Sequence, residues 1–511
     1  MRNDLKMNKN QELYKIFKNL TKDSISKKIT EDEVFKKIGE LDTNYSDYNP
    51  YLCTVDGVLS NIGFDLSSLK ILSFALKRIK NKSHIIPSAK FHYDLGTILY
   101  NINLLKTGKE PTFSDLIDAK EYKIASKNFL LVEPTDNDLF LRAKTNYSNI
   151  LEKYGRNFEA ILNYQQALRY DKSFGMAAGN LAIALLYYIK ILPSEQKPLT
   201  LIYQSIKLLK TALNDKRTAE IGGTHAVQYF KGQLDHIIKF VDEDELKNFK
   251  INDYPKTISK YHKFCLEKNI FLNFDFGYYF DKRSITDDLF PIVTENVDEY
   301  KPYKNSSLSE RTYLVYQIFN QILEDYSSSR LLFYNTSHKS FKNYDRNVNY
   351  IYTLDYSQNS HQFGILKKIH ASLYNCLDKI AHLVRTYYLS SSSFTSIYFD
   401  WFTTDEFKAL ILEKQSYQLL ALFSLSKDFK IGNTYYPIAF KRNRITHSFL
   451  NIIDLRPKQE KYEISKVELE SDVLDLFHIV KAALLYSIIA LTPNPDENYV
   501  EMQTFLQKEI Y

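Results

Sequence analysis

The decapeptide Lys441-Arg442-Asn443-Arg444-Ile445-Thr446-His447-Ser448-Phe449-Leu450 holds the side chains best suited to chemistry. A histidine titrates near neutral pH, so it can take up or release a proton during a reaction. An arginine stays charged, and its fork of donors suits an anionic centre whose charge grows in the transition state. Asn443 and His447 are four apart and would share one helix face. Ile445, Phe449, Leu450 and Ile452 would give that helix an apolar side to bury, leaving its polar side free. Lys441, Arg442 and Arg444 together suit a phosphate backbone. Each residue also has a plainer role. His447 can cap or fill a helix interface, Arg442 can pair with Asp454, and the basic cluster can be a solvated face.

Other chemistries find no footing. The sequence has no Gly-rich loop ending in Gly-Lys-Ser/Thr, no Cys-x-x-Cys, no His-Glu-x-x-His and no Gly-x-Ser-x-Gly. Phosphate-loop NTPase, zinc-site and α/β-hydrolase readings are unsupported, and no metal or cofactor is expected. Arg78 and His84 form a second Arg…His pair, with one more residue between them. That pair lacks a polar residue after the arginine and has Pro87 just beyond, so it reads as coincidence. Cys53, Cys265 and Cys376 are odd in number and far apart, which offers no disulfide framework and fits a reducing cytoplasm.

The elements that must position the decapeptide are helical. Gly (14) and Pro (13) are scarce in 511 residues, which favours long helices with short loops. A chain this long exceeds one hydrophobic core, so roughly two to four domains are expected. Net charge is +6, a weak argument for an anionic partner. The N-terminus is polar, without the apolar stretch of a signal peptide. The most apolar runs, Leu181 to Leu192 and Ile479 to Leu491, fall short of the roughly 20 residues of a bilayer span. Both read as buried helices of a soluble, cytoplasmic protein.

Four segments follow from the patterning. Residues 1–135 read as helices with polar punctuation. Residues 136–250 hold an internal repeat: Tyr147, Leu151, Ala160, Tyr164 and Ala167, with Gly155-Arg156-Asn157 as the tight turn. A shift of 34 residues carries Tyr147 to Leu181, Ser148 to Ala182 and Leu151 to Leu185. This resembles tetratricopeptide (TPR) repeats, in which small residues let two helices approach and large ones fill the groove. Lys172 stands where proline often closes the repeat, and the pattern is lost after Pro193. Ala89 to Leu105, with Gly96 at the small-residue position, reads as a degenerate earlier repeat. Residues 251–345 mix aromatics with polar turns as a lead-in. Residues 346–511 hold helices at Ile365 to Tyr388, Thr404 to Leu425, Ile438 to Ile453 and Val467 to Leu491, which is a bundle. A short β-hairpin is expected near 337–356.

With that bundle in view, the decapeptide resembles the signature of HEPN domains: Arg, a polar residue, a few variable positions, then His. Leu377-Asp378-Lys379-Ile380-Ala381, in a long helix upstream, resembles the corresponding stretch of a bacterial HEPN group that carries TPR repeats in front. The likeness covers about 255 to 500. It implies an all-α chain, TPR-like helical repeats followed by a HEPN-type four-helix bundle. It implies a metal-independent endoribonuclease in which the ribose 2′-OH attacks the adjacent phosphate and leaves a 2′,3′-cyclic phosphate. Arg442 and His447 are then catalytic, Asn443 orients the histidine or a phosphate oxygen, and Lys441 and Arg444 bind RNA. Asp378 supports the site, more as an ion pair with Lys379 or Arg442 than in catalysis, and His370, His382 and His478 pack within the bundle. The implied partners are tRNA or other single-stranded RNA and a second copy of the chain, because HEPN domains typically pair around one cleft. A protein or peptide would bind the TPR-like half, and no membrane is involved. The implied role is an intracellular toxin or anti-phage effector. The alternative is a non-catalytic RNA-binding or interaction scaffold. Some HEPN toxins have a tyrosine two residues after the histidine that a partner nucleotidyltransferase modifies. Phe449 stands there, so regulation falls to the N-terminal helical repeats.

Overall fold

The computed structural model describes residues 2–108, 110–191, 199–248, 255–273, 308–348, 356–389, 397–453 and 463–492, with shorter stretches at 275–276, 285–287, 289, 291, 293–295, 301–303, 351 and 500–501. Helices make up almost all of it. The first five are α1 (Arg2–Ile25), α2 (Glu31–Asn44), α3 (Asn49–Asp65), α4 (Leu69–Lys80) and α5 (Ser88–Thr107). Then come α6 (Phe113–Asp118), α7 (Lys120–Leu130), α8 (Asn137–Lys153), α9 (Asn157–Tyr170) and α10 (Gly175–Ile191). Next are α11 (Leu199–Asn214), α12 (Lys216–Ile237), α13 (Glu243–Asn248), α14 (Lys260–Glu267) and α15 (Glu310–His338). The last are α16 (His361–Leu389), α17 (Asp405–Lys414), α18 (Tyr417–Asp428), α19 (Tyr436–His447) and α20 (Lys466–Leu491). Two-residue strands β1 (Thr294–Glu295) and β4 (Val500–Glu501) pair antiparallel, and β2 (Asn451–Ile452) and β3 (Glu463–Ile464) pair parallel. The chain divides into two compact units: residues 1–154, 160–182 and 208–233 form the first, and residues 155–159, 183–207 and 234–511 the second.

In the first unit, local chemistry sets the helix starts. Thr30 and Glu33 form a capping box, the Thr30 N–H donating to Glu33 Oε2 at 2.8 Å, and Asp136 accepts the Leu139 N–H at the start of α8. Ile71, Leu72, Ala75 and Ile79 recur at helical spacing along α4 and are fully buried. The expected repeat residues Tyr147, Leu151, Ala160, Tyr164 and Ala167 are all buried. Small residues do make close approaches. A Cβ on Gly96 would press on the Phe129 ring, and one on Gly179 on the Phe230 ring. Arg78, the arginine of the second Arg…His pair, is held in ion pairs by Asp42 and Asp56, at 2.6 and 3.0 Å.

In the second unit, α15 and α16 run antiparallel: Gln362 donates to the Thr336 carbonyl at 2.7 Å, and Lys379 pairs with Asp325 at 2.6 Å. α20 lies against α16 and α18. It is long and apolar enough to cross a membrane, yet 78% of its most apolar 18-residue stretch is buried inside the unit. Residues 155–159 pack here too. Arg156 donates to Asp428 at 2.6 Å, and the Tyr486 hydroxyl donates to Glu159 Oε2 at 2.7 Å.

Three expectations change. The helix expected over Thr404 to Leu425 is broken at Gln415, whose left-handed backbone (φ 46°, ψ 44°) ends α17 before Ser416 caps α18. The helix expected to run to Ile453 stops at His447, because Ser448 leaves helical geometry (φ −149°, ψ −127°) and residues 451–452 become β2. In place of a hairpin near 337–356, α15 continues to His338 and a 3-10 turn follows at Lys342–Asn347. Residues 349–350 and 352–355 of that stretch lie outside the described residues.

Candidate active site

Because α19 ends at His447, the decapeptide occupies its last turns and the loop beyond, and the apolar side expected there is redistributed. Leu450 and Ile452 are buried past the helix end, whereas Phe449 is 55% exposed. α19 packs on α16, and Arg442 is the residue that joins them. Its Nη1 donates to Asn443 Oδ1 at 3.2 Å and its Nη2 to Asn375 Oδ1 at 3.4 Å. Asp378 Oδ2 lies 3.6 Å from Nη2, and the guanidinium carbon sits 4.9 Å from the centre of the Tyr374 ring. Tyr374 and Asp378 are one turn apart on α16, which is why a single arginine reaches both.

Asp378 is half-buried at the site. Burial raises its carboxyl pKa above the usual carboxylate range, against the lowering effect of the Phe399 N–H, which it accepts at 2.8 Å, and of Arg442. Of the two partners expected for it, Arg442 is the one it meets. Lys379 turns away to Asp325. Asn443 orients Arg442, with its side chain exposed. His447 is exposed at the helix end, and among the described residues its ring makes no hydrogen bond, so it does not fill a helix interface. Asp454, the alternative partner for Arg442, lies outside the described residues.

The basic cluster splits. Lys441 is 5% exposed, and its ammonium is shared between Glu468 at 2.7 Å and Asp472 at 2.6 Å. It ties α19 to α20 and is no phosphate contact, a correction forced by burial and by two carboxylates already in place. Arg444 stays half-exposed, its guanidinium carbon 5.2 Å from the centre of the Phe440 ring one turn earlier. Lys367 donates to the Leu450 carbonyl at 2.6 Å and fastens the loop after α19 to α16.

Of the other histidines, His370 is fully buried as expected. His382 is half-buried, and burial lowers its pKa. His478 is half-buried, and its Nε2 bonds the carbonyl of Lys268 at the C-terminal end of α14, at 2.8 Å. Sequence reading missed Tyr374 and Asn375. The usable signal was the spacing, since Tyr374 precedes Asp378 by one helical turn. Among the described residues no group of three His, Cys, Asp or Glu side chains is placed to hold a metal ion.

Residues 307–494 match the family model described as LA2681-like HEPN. The C-terminal part of the chain is therefore a HEPN domain, and the match takes in α15, which sequence patterning placed in the lead-in. No curated protein and no solved structure matches the chain.

Proposed function

We propose that this chain is a cytoplasmic endoribonuclease that cleaves tRNA or other single-stranded RNA without a metal, acting as a toxin or anti-phage effector. The observation that carries this reading is the presence, inside the matched HEPN domain, of an exposed His447 five residues after an arginine that contacts Asn443, Asn375 and Asp378. In the reaction, the ribose 2′-OH attacks the adjacent phosphorus and the P–O5′ bond breaks. His447 takes the 2′-OH proton or supplies one to the leaving 5′-oxygen. Arg442 stabilises the added negative charge on the phosphoryl oxygens. Arg444 contacts the RNA backbone. One histidine per chain cannot easily serve as base and acid together, so the active form is a homodimer with two such motifs facing one cleft. The helices of residues 136–250, with TPR-like placement of small and large residues, receive the protein or peptide that restrains or triggers the domain.

The test uses purified protein and tRNA in the presence of a chelator. Wild type is expected to cleave, and Arg442→Ala and His447→Ala each to lose cleavage. Unchanged cleavage in both variants overturns the assignment. The contact of Arg442 with Asp378 favours one second reading, a non-catalytic scaffold that binds RNA and dimerises through the HEPN domain. It predicts salt-sensitive RNA binding, no cyclic-phosphate product and no effect of His447→Gln.

A further inference from the structure

In the first unit, Asn149, Glu152, Tyr164 and Asn180 form one continuous chain of polar contacts. The Tyr164 hydroxyl, from α9, lies 2.6 Å from Asn149 Oδ1 and 2.7 Å from Glu152 Oε2, both on α8. Asn149 Oδ1 also accepts an N–H from Asn180 Nδ2 on α10 at 2.9 Å. Counting hydrogens shows which group carries a proton. A phenol has one O–H hydrogen and an ionised carboxylate has none, yet two oxygen–oxygen contacts of 2.6 and 2.7 Å need two. Turning both amides over would put an N–H donor of Asn149 against Tyr164 at 2.6 Å, shorter than the roughly 2.7–3.2 Å of such bonds. The second hydrogen therefore belongs to Glu152, whose carboxyl donates to Tyr164 while Tyr164 donates to Asn149. Burial acts in the same direction. It raises the Glu152 pKa from 4.5 to about 7, against the lowering by Tyr164 and by Lys153, the next residue on α8. The other ionisable groups that feel its charge are Tyr100 on α5 and Tyr229 on α12, and Tyr100 rests against Tyr122 of α7 with ring centres 5.6 Å apart. Burial holds all four tyrosines above the ordinary phenol range, so none of them changes charge near neutrality.

We propose that these four side chains are a proton-dependent latch joining α8, α9 and α10: protonated Glu152 holds the arrangement described, and its ionisation as pH rises undoes the tie between Asn149 and Asn180. When the Glu152 proton leaves to solvent, the Tyr164 hydrogen turns to the new carboxylate, the stronger acceptor. Asn149 Oδ1 then faces the phenol oxygen with no hydrogen between them, and its amide must rotate. Rotated, it points Nδ2 at Asn180 Nδ2, so two donors meet and the α8–α10 bond is lost. Restoring that bond requires Asn180 to turn as well. This latch is independent of the ribonuclease reading of the C-terminal domain.

The experiment follows amide hydrogen exchange in the full chain by mass spectrometry from pH 5.5 to pH 7.5, each rate corrected for intrinsic exchange. Between 4.5 and about 7 the closed latch keeps a proton that the opened one has lost, so opening becomes easier as pH rises and levels off above that range. In wild type, protection of peptides from α8 and α10 should fall about tenfold or more across the experiment. Glu152→Gln keeps a donor for Tyr164 and does not titrate, so its protection should hold within about twofold. Tyr164→Phe leaves Glu152 free to titrate but cuts it from Asn149, so α10 should lose its pH dependence even if α8 keeps one. That second variant decides the matter should Glu152→Gln not fold. Wild-type protection that stays flat with pH overturns the latch, and so does a fall in α10 that persists undiminished in either variant.

Discussion

Arg442 has five N–H donors, and the contacts it makes with them are long or weakly paired, which separates its role from that of its neighbour Lys441. Lys441 is buried between two carboxylates, and removing one partner of such a group strands the others. Lys441→Met is expected to cost about 2–4 kcal/mol in denaturant unfolding, with the salt dependence of RNA binding unchanged. Arg444→Ala should do the reverse: stability within about 0.5 kcal/mol of wild type, and a shallower slope of log affinity against log salt. Asp378 divides its carboxyl between the Phe399 N–H and Arg442. Asp378→Asn keeps the acceptor for Phe399, so stability should hold while Arg442 is freed; Asp378→Leu strands that N–H and should cost about 1–3 kcal/mol, read by the same unfolding curves.

At the scale of elements, α20 carries Lys481 fully buried, bonded to Asn269 at 3.2 Å and lying 5.3 Å from the centre of the Phe158 ring. Burial lowers its pKa from 10.5 to about 7. Between those values the unfolded chain binds more protons than the folded one, so this residue makes stability rise with pH from about 7 to 10.5. Below about 7 its cost is fully present. Lys481→Met should therefore stabilise by on the order of 1–3 kcal/mol at pH 6, a gain that shrinks toward pH 10; an equal gain at both pH values contradicts the account. Gly155 has φ +72°, and a Cβ there would collide with the Tyr417 carbonyl oxygen. Gly155→Ala is expected to cost more than about 2 kcal/mol by thermal unfolding. Helices of this kind were legible in the sequence because their apolar residues recur at helical spacing, as in α4. The end of α19 was not. Ile452 continues the apolar spacing past His447, and only tertiary pairing with Ile464 turns that residue into a strand. Likewise the break at Gln415 rests on a left-handed backbone that no glycine marks.

For the whole molecule, the HEPN match over residues 307–494 covers the helices that carry the candidate site, α16 and α19. Sequence reading located Arg442, Asn443 and Asp378, which the structure brings together. It could not separate Lys441 from Arg444, because a run of like charges on a short helix does not reveal which cation meets Glu468 and Asp472. It also could not see that Asn375 and Tyr374 complete the arginine's setting, since that depends on how α19 lies on α16. The central claim is that this setting cleaves RNA through the 2′-OH. Its most direct measurement is the end chemistry of tRNA fragments formed by the purified chain with excess chelator. The account predicts 2′,3′-cyclic phosphate and 5′-hydroxyl ends, lost together in His447→Ala. Fragments with 5′-phosphate ends, or cyclic ends that persist undiminished in His447→Ala, would contradict it.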